Sequence, residues 1–270
     1  MNYKSKETIG IIFGIIAYFS FSILDAIQKT AVIHYSIFQL LFIKYTFVLL
    51  LSLIEAKRAN NNNFYKSNNL KLQIVRSLLS ILESGFFVLS FKYLSLANAH
   101  SIGALAPIII VVLSVFILNE KVSIKTWIAI FVGFIGVLII IRPASDVFNI
   151  NSFIPLLAAF FLGLYQIATK KITEYDAPEV SLFYSSLVGI FITSIMAFNF
   201  WQPMDVKSVY FFVPIGLFLS LGIYFQILAL KNARASIIQP FHYTLIFWAI
   251  IFGFFFYGDI PDLFTIIGAI

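Results

Sequence analysis

Of 270 residues, 61% are hydrophobic and 11% charged, with a mean hydropathy of +0.98, whereas a soluble domain carries about 25% charged residues. Too little polar surface remains to cover a water-facing fold, so the composition excludes an ordinary soluble domain and makes lipid the solvent. The net charge of +6 sits in short clusters between apolar runs, not on a basic stripe with interleaved aromatics, which argues against a nucleic-acid partner.

Lys4 and Lys6 precede an apolar run from Ile9 with no small-x-small cleavage site after it, so this run is read as a first crossing, not a cleaved leader. At roughly 20 residues per crossing, nine full crossings follow in order: Ile9–Ile27, Ile37–Ile54, Leu72–Phe91, Ala99–Leu118, Ile124–Ile141, Phe153–Ala168, Val180–Phe198, Val209–Leu230 and Ser236–Tyr257. A tenth begins near Leu263 and stops at Ile270, too short to span, so the sequence is expected to be truncated inside its last helix. The segment Glu55–Lys71, with its Asn60–Asn63 run, reads as a flexible connector.

Lys and Arg placement orients these crossings. With the N-terminus inside, the inner segments hold Lys4, Lys6, Lys57, Arg58, Lys66, Lys71, Lys121, Lys125, Lys170, Lys171, Lys231 and Arg234, and the outer ones only Lys29, Lys92, Arg142 and Lys207. Lys44 and Arg76 fall within crossings. This asymmetry predicts a cytoplasmic N-terminus.

The two halves are self-similar. Phe91-Lys92 corresponds to Leu230-Lys231, and Leu118-Asn119-Glu120 to Tyr257-Gly258-Asp259; Ala17-Tyr18-Phe19 with Lys29 corresponds to Ala158-Ala159-Phe160 with Lys170. Five crossings per repeat force the second copy to be inverted, an arrangement typical of secondary carriers whose site lies near the midplane between the halves. The expected fold is therefore all-α and polytopic, with ten transmembrane helices in two inverted repeats, residues 1–141 and 153–270.

Further motifs carry a family resemblance. Ala106-Pro107, Leu118-Asn119-Glu120, Gly133, Gly136 and Arg142-Pro143 resemble the end of one repeat of the EamA-type drug/metabolite transporters. Ala229-Leu230-Lys231, Gln239-Pro240-Phe241-His242-Tyr243 and Tyr257-Gly258-Asp259 resemble the end of the other, with Asp259 where the family usually has Glu. The resemblance implies ten helices around a central cavity, both termini inside, and passage of a small organic metabolite. The similarity leans toward a bacterial branch assigned uptake of S-adenosylmethionine or riboflavin.

Ionisable residues within crossings cost about 2.5–3.5 kcal/mol at a helix centre and are functional candidates by default. Glu83 stands about 16 Å into its helix, near the midplane; it either couples protons, counters a cationic substrate, or is a structural carboxylate. Lys44 and Asp25 stand at similar depths, so Lys44 pairs with Asp25 or Glu83, or else snorkels to the interface. His242 and Tyr243 follow Pro240, which should kink the ninth helix or free a carbonyl, as Pro107 could in the fourth; His242 binds substrate, carries a proton or merely packs. Tyr165, Gln166, Gln226 and Tyr224 are candidate cavity residues, with helix-to-helix hydrogen bonding as the plain alternative for the glutamines. Glu120 and Asp259 read as solvated turn or cap carboxylates, and Trp127 and Trp201 as interface anchors.

Enzymatic signals are missing. His34, His100 and His242 are far apart, cysteine is absent, and neither a metal motif nor a phosphate-cradling Gly loop occurs. No metal or cofactor is expected, and a proton or exchange gradient must drive transport. The expected partners are a metabolite and the bilayer, with the protein a monomer or homodimer. The competing classes are a membrane-embedded enzyme on a lipid-linked substrate, and a non-transporting sensor or assembly factor.

Overall fold

Two polar residues fix where crossings begin. The Ser36 hydroxyl accepts from the Gln39 amide at the start of one helix, and the Asn69 side chain accepts from the Leu72 amide at the start of the next, each satisfying a donor that helix geometry leaves over. In the computed structural model, residues 3–94, 99, 102–141, 150–257, 263 and 267 are described. They form α1 (Tyr3–His34), α2 (Ile37–Arg58), α3 (Leu70–Tyr93), α4 (Ala106–Leu118), α5 (Ile124–Ile141), α6 (Phe153–Ile172), α7 (Pro178–Asn199), α8 (Val209–Asn232), α9 (Ala235–Ile238) and α10 (Thr244–Tyr257). Among the described residues there is no strand.

Among the described residues, seven helical stretches are long and apolar enough to cross a membrane, and α4 and α5 are shorter apolar helices at the expected fourth and fifth positions. The expected fourth crossing from Ala99 differs at its start. The chain turns at Ala104–Leu105, and Pro107 sits in the first turn of α4, where its missing N–H costs no hydrogen bond. Pro107 thus begins a helix and does not kink one. Asp259, Arg142 and most of the tenth crossing lie outside the described residues.

Packing joins the first half of the chain to the second. The principal contacts are α1 with α8, α2 with α7, α3 with α6, α1 with α10, α2 with α8, α4 with α6, and α3 with α7. Close approach demands glycine at some crossings: a Cβ on Gly189 of α7 would stand 2.3 Å from the Tyr45 ring of α2, and one on Gly10 of α1 would stand 2.5 Å from Ala233 Cβ.

Hydrogen bonds sort the ends of the bundle. At one end, the Tyr35 hydroxyl donates to Ser208 and the Gln39 side-chain Nε2 to the Gln202 carbonyl. At the other, the basic end, residues 55–69, 120–121, 170–179 and 230–236 gather. The connector after α2 is not loose there. Asn61 donates to Glu179, Tyr184 donates to the Tyr65 carbonyl, Phe64 packs edge-on against Phe183, and Asp176 accepts from Ser67 and from the Asn68 amide. The expected flexibility is overridden because the short polar side chains find fixed partners on the turn between α6 and α7.

Candidate functional site

The middle of α1, α2, α3, α6 and α8, together with the break between α9 and α10, surrounds a cavity of about 140 Å³. Asp25, Lys44, Glu83, Tyr165, Gln166, Gln226, His242 and Tyr243 all line it. Two carboxylates and one ammonium thus share one space within the bundle. Lys44 is only 2% exposed, so it does not snorkel; it lies within electrostatic reach of both Asp25 and Glu83. The Ser84 hydroxyl donates to Glu83 at 3.1 Å. Neither carboxylate is set in lipid, which would leave it without a partner or water.

Polar groups with spare hydrogen-bonding capacity face the same space. The Gln166 carbonyl oxygen accepts from Gln239 at 2.8 Å and from Gln226 at 3.5 Å, an amide belt joining α6, α8 and the α9–α10 break. The Tyr18 hydroxyl lies within hydrogen-bond reach of Gln226 and Gln166, and the Tyr165 hydroxyl within reach of Thr169 and Arg76. The side-chain carbonyl of Gln28, which also lines the cavity, is buried with no partner among the described residues. Such an atom is costly unless water or a ligand meets it.

The break that supplies His242 and Tyr243 follows from Pro240. After one turn of α9 the chain tightens into a 3₁₀ segment, Gln239–Tyr243, before α10 resumes. Proline cannot donate to the helix ladder, and the tighter winding re-aims two side chains inward. The His242 ring stands edge-on to Tyr18 with centroids 4.9 Å apart. Tyr243 donates weakly to the Ala104 carbonyl at 3.4 Å, and its ring lies where a Cβ on Gly133 would stand, 2.3 Å away.

Other expectations meet different surroundings. Tyr224 does not line the cavity; its hydroxyl donates to Glu55 at 2.7 Å. Glu120 is a cap, but for a distant helix: its carboxylate accepts from the Ala235 and Ser236 amides at 2.9 and 3.0 Å and from the Ser236 hydroxyl. Lys170 beside it donates to the Leu230 and Ala233 carbonyls, and Arg234 pairs with Glu7 at 3.5 Å. These contacts tie α1, α4, α6, α8 and α9 at the basic end, over an apolar seam of Ala229, Leu230, Ala233, Ala235 and Ile238. Trp201 is 40% exposed and packs on Phe42.

Sequence reasoning placed Arg76 within a crossing and quoted Gln239 in a motif, but weighed neither as a site residue. Arg76 is fully buried; its Nε donates to Gln73 and its Nη2 to the Ser181 carbonyl and the Ser185 hydroxyl. Gln73 in turn donates to Asp176 at 2.8 Å. The signal available in the sequence was an arginine inside an apolar run, which lipid tolerates only with partners. Among the described residues, no group of His, Asp or Glu is placed to hold a metal ion.

A multi-span helical bundle with a charged cavity at its centre is the architecture of a membrane transporter. Comparison with known proteins agrees. The model of the EamA-like transporter family matches residues 8–142 and again 150–270, and the chain belongs to that family. A Helicobacter pylori protein described as an uncharacterized transporter is 30% identical over 96% of this chain and 91% of its own length. A riboflavin transporter of Vibrio cholerae is 23% identical over 97% and 89%. An S-adenosylmethionine uptake transporter of Rickettsia bellii is 26% identical over 77% and 73%. A solved crystal structure matches with a TM-score of 0.81 at 14% identity, covering 98% of this chain and 92% of that one, which shows the shared fold.

Proposed function

We propose that the protein is a secondary carrier that moves a small organic metabolite across the bacterial cytoplasmic membrane by alternating access. Its two inverted repeats are residues 1–141 and 153–270, and its N-terminus lies in the cytoplasm. The observation that carries this reading is the cavity, where Asp25, Lys44 and Glu83 from one half meet Tyr165, Gln166, Gln226 and His242 from the other. Carriers place their site at such a repeat interface.

The helix pairing supports the repeat. Exchanging α1 with α6, α2 with α7, α3 with α8 and α4 with α9–α10 turns the α1–α8 contact into α6–α3. It also turns α2–α8 into α7–α3 and α1–α10 into α6–α4, and it leaves α2–α7 unchanged. The basic end is latched by the contacts of Glu120, Lys170 and Arg234. Rupture of the Glu120, Lys170 and Arg234 contacts is then the event that opens the cytoplasmic side.

With two carboxylates against one ammonium, the cavity favours a substrate carrying positive charge. The aromatic rings of Tyr18, Phe21, Phe87 and Tyr243 around it suit a cation or a flat ring system. Riboflavin and S-adenosylmethionine, carried by the named relatives, are the first candidates. Glu83 couples transport to protons, and Lys44 holds Asp25 and Glu83 apart until substrate or proton arrives.

The test is counterflow in proteoliposomes loaded with one compound and offered its labelled form, over a panel of riboflavin, S-adenosylmethionine and cationic amino acids and amines. Saturable exchange of at least one compound is expected, with uphill accumulation under an imposed proton gradient. Absence of exchange for every compound would end the carrier reading.

A further inference from the structure

Within the cavity, α1 presents one polar group that the bundle leaves unmet. Tyr18, Phe21, Leu24, Asp25 and Gln28 of α1 all line the space, at the spacings that put side chains on a single helix face. Asp25 and Gln28 are the polar end of that face, one turn apart and separated by about 4.5 Å of rise. Gln28 is 1% exposed, and its side-chain carbonyl oxygen has no partner among the described residues.

Other buried glutamines fasten one segment to another. Gln73 meets Asp176, Ser181 and Arg76, and Gln39 exchanges two bonds with the Gln202 backbone. The carbonyl of Gln28 fastens nothing, and a buried carbonyl left in that condition is costly. A terminal amide turns easily about its last bond, so this carbonyl can come round to a donor held at Asp25.

The chemistry of that donor follows from its surroundings. Lys44 brings one positive charge to the two carboxylates, Asp25 and Glu83, which leaves one negative charge for a second cation. The rings of Tyr18 and Phe21 suit any cation, methylated or not. A carbonyl is stricter, because it accepts only from a group that carries hydrogen. A carboxylate and a carbonyl one turn apart are met together by a cation with at least two N–H bonds.

We propose that Gln28 is a specificity-determining residue of the cavity, and that with Asp25 it binds an N–H-bearing cationic group of the substrate. That group is a protonated amine, amidine or guanidine, and not a quaternary ammonium or sulfonium centre. Asp25 selects for charge and Gln28 for the hydrogens on it. The inference rests on the carrier reading and narrows its substrate class.

The experiment uses the full chain in proteoliposomes. Lysine, cadaverine and S-adenosylmethionine are each paired with the form trimethylated at its ammonium nitrogens, which keeps the charge and carries no N–H there. In counterflow the unmethylated member of an exchanged pair is expected to win by about tenfold or more, the worth of a hydrogen bond to a charged group. Gln28→Met, of similar length but without the carbonyl, is expected to shrink that ratio to about threefold or less. Gln28→Glu, which keeps an acceptor, is expected to retain it. The ratio is measured on one protein preparation, so loss of folded carrier cancels from it. Methyl bulk alone would give a ratio indifferent to position 28, so a preference that survives in Gln28→Met overturns the inference, as does equal exchange by the wild type. A second readout needs no substrate: Gln28→Met should melt no lower than the wild type, since no bond to the carbonyl is lost. A midpoint several degrees lower means that a fixed water already satisfies the carbonyl, and it overturns the inference too. Exchange of riboflavin and of none of the pairs overturns it while leaving the carrier reading standing. No exchange of any compound removes both.

Discussion

Two glutamates at different depths show how surroundings divide structure from function. Glu120 receives two backbone amides and a hydroxyl from the start of α9, so its acceptors are spent on holding two segments 115 residues apart. Glu83 receives one hydroxyl from its own neighbour and otherwise faces the cavity with Asp25 and Lys44. A carboxylate saturated by fixed donors is a fastener. One left with open lone pairs beside a cavity exchanges partners as substrate or protons come and go.

The contrast breaks most sharply with Glu83→Gln. The variant should insert and melt like the wild type and keep counterflow, yet lose uphill accumulation altogether under a proton gradient. Full accumulation by Glu83→Gln would turn this residue into a second fastener. Next comes Glu120→Ala, which orphans three donors and should lower stability by about 2–3 kcal/mol, read as an earlier thermal midpoint in detergent. A midpoint within error of the wild type would mean that the basic end is already open in solution.

Smaller effects sharpen the picture. Gly189→Ala forces a methyl into the Tyr45 ring and should cost about 1–3 kcal/mol by overpacking, again visible in melting. Gly10→Ala presses on Ala233 within the basic-end seam and should loosen the latch. Since the chain has no cysteine, a single cysteine placed at Ala233 reports this directly. Its labelling by an impermeant maleimide should rise severalfold in the Gly10→Ala background, and an unchanged rate would separate the seam from gating. The least effect on the protein comes from reporter fusions, which should report a cytoplasmic Asn60–Asn63 segment and an external Asp146. The reverse pattern would overturn the orientation.

The all-helical class, the position of most apolar helices and the cavity-lining residues of α1, α2, α3 and α6 were legible because apolar runs and isolated charges are local signals. Glu83, Asp25 and Lys44 could be singled out since each interrupts a hydrophobic stretch. Arg76 interrupts one as well, but its partners are a carbonyl and two short polar side chains, Gln73 Oε1 and Ser185 Oγ, of kinds present throughout the chain. No spacing rule links Asn68 to Asp176 either, which is why a polar, Asn-rich connector read as loose. The α9–α10 break was readable from Pro240; the Gln166–Gln239 bond across it was not, because it depends on how two halves dock.

The arginine within α3 also bears on how the protein is made. Arg76 enters the bilayer with α3, while Ser181 and Ser185, which satisfy its Nη2, lie 105 and 109 residues further along. At about 5–20 residues per second of synthesis, the ribosome needs roughly 5–20 s to supply them. Throughout that interval a helix with an unsettled guanidinium must be held by the insertion machinery or by water at the membrane surface. Biogenesis of the first half is thereby tied to arrival of the second, and a chain arrested before α7 presents quality-control proteases with an exposed charge in the membrane.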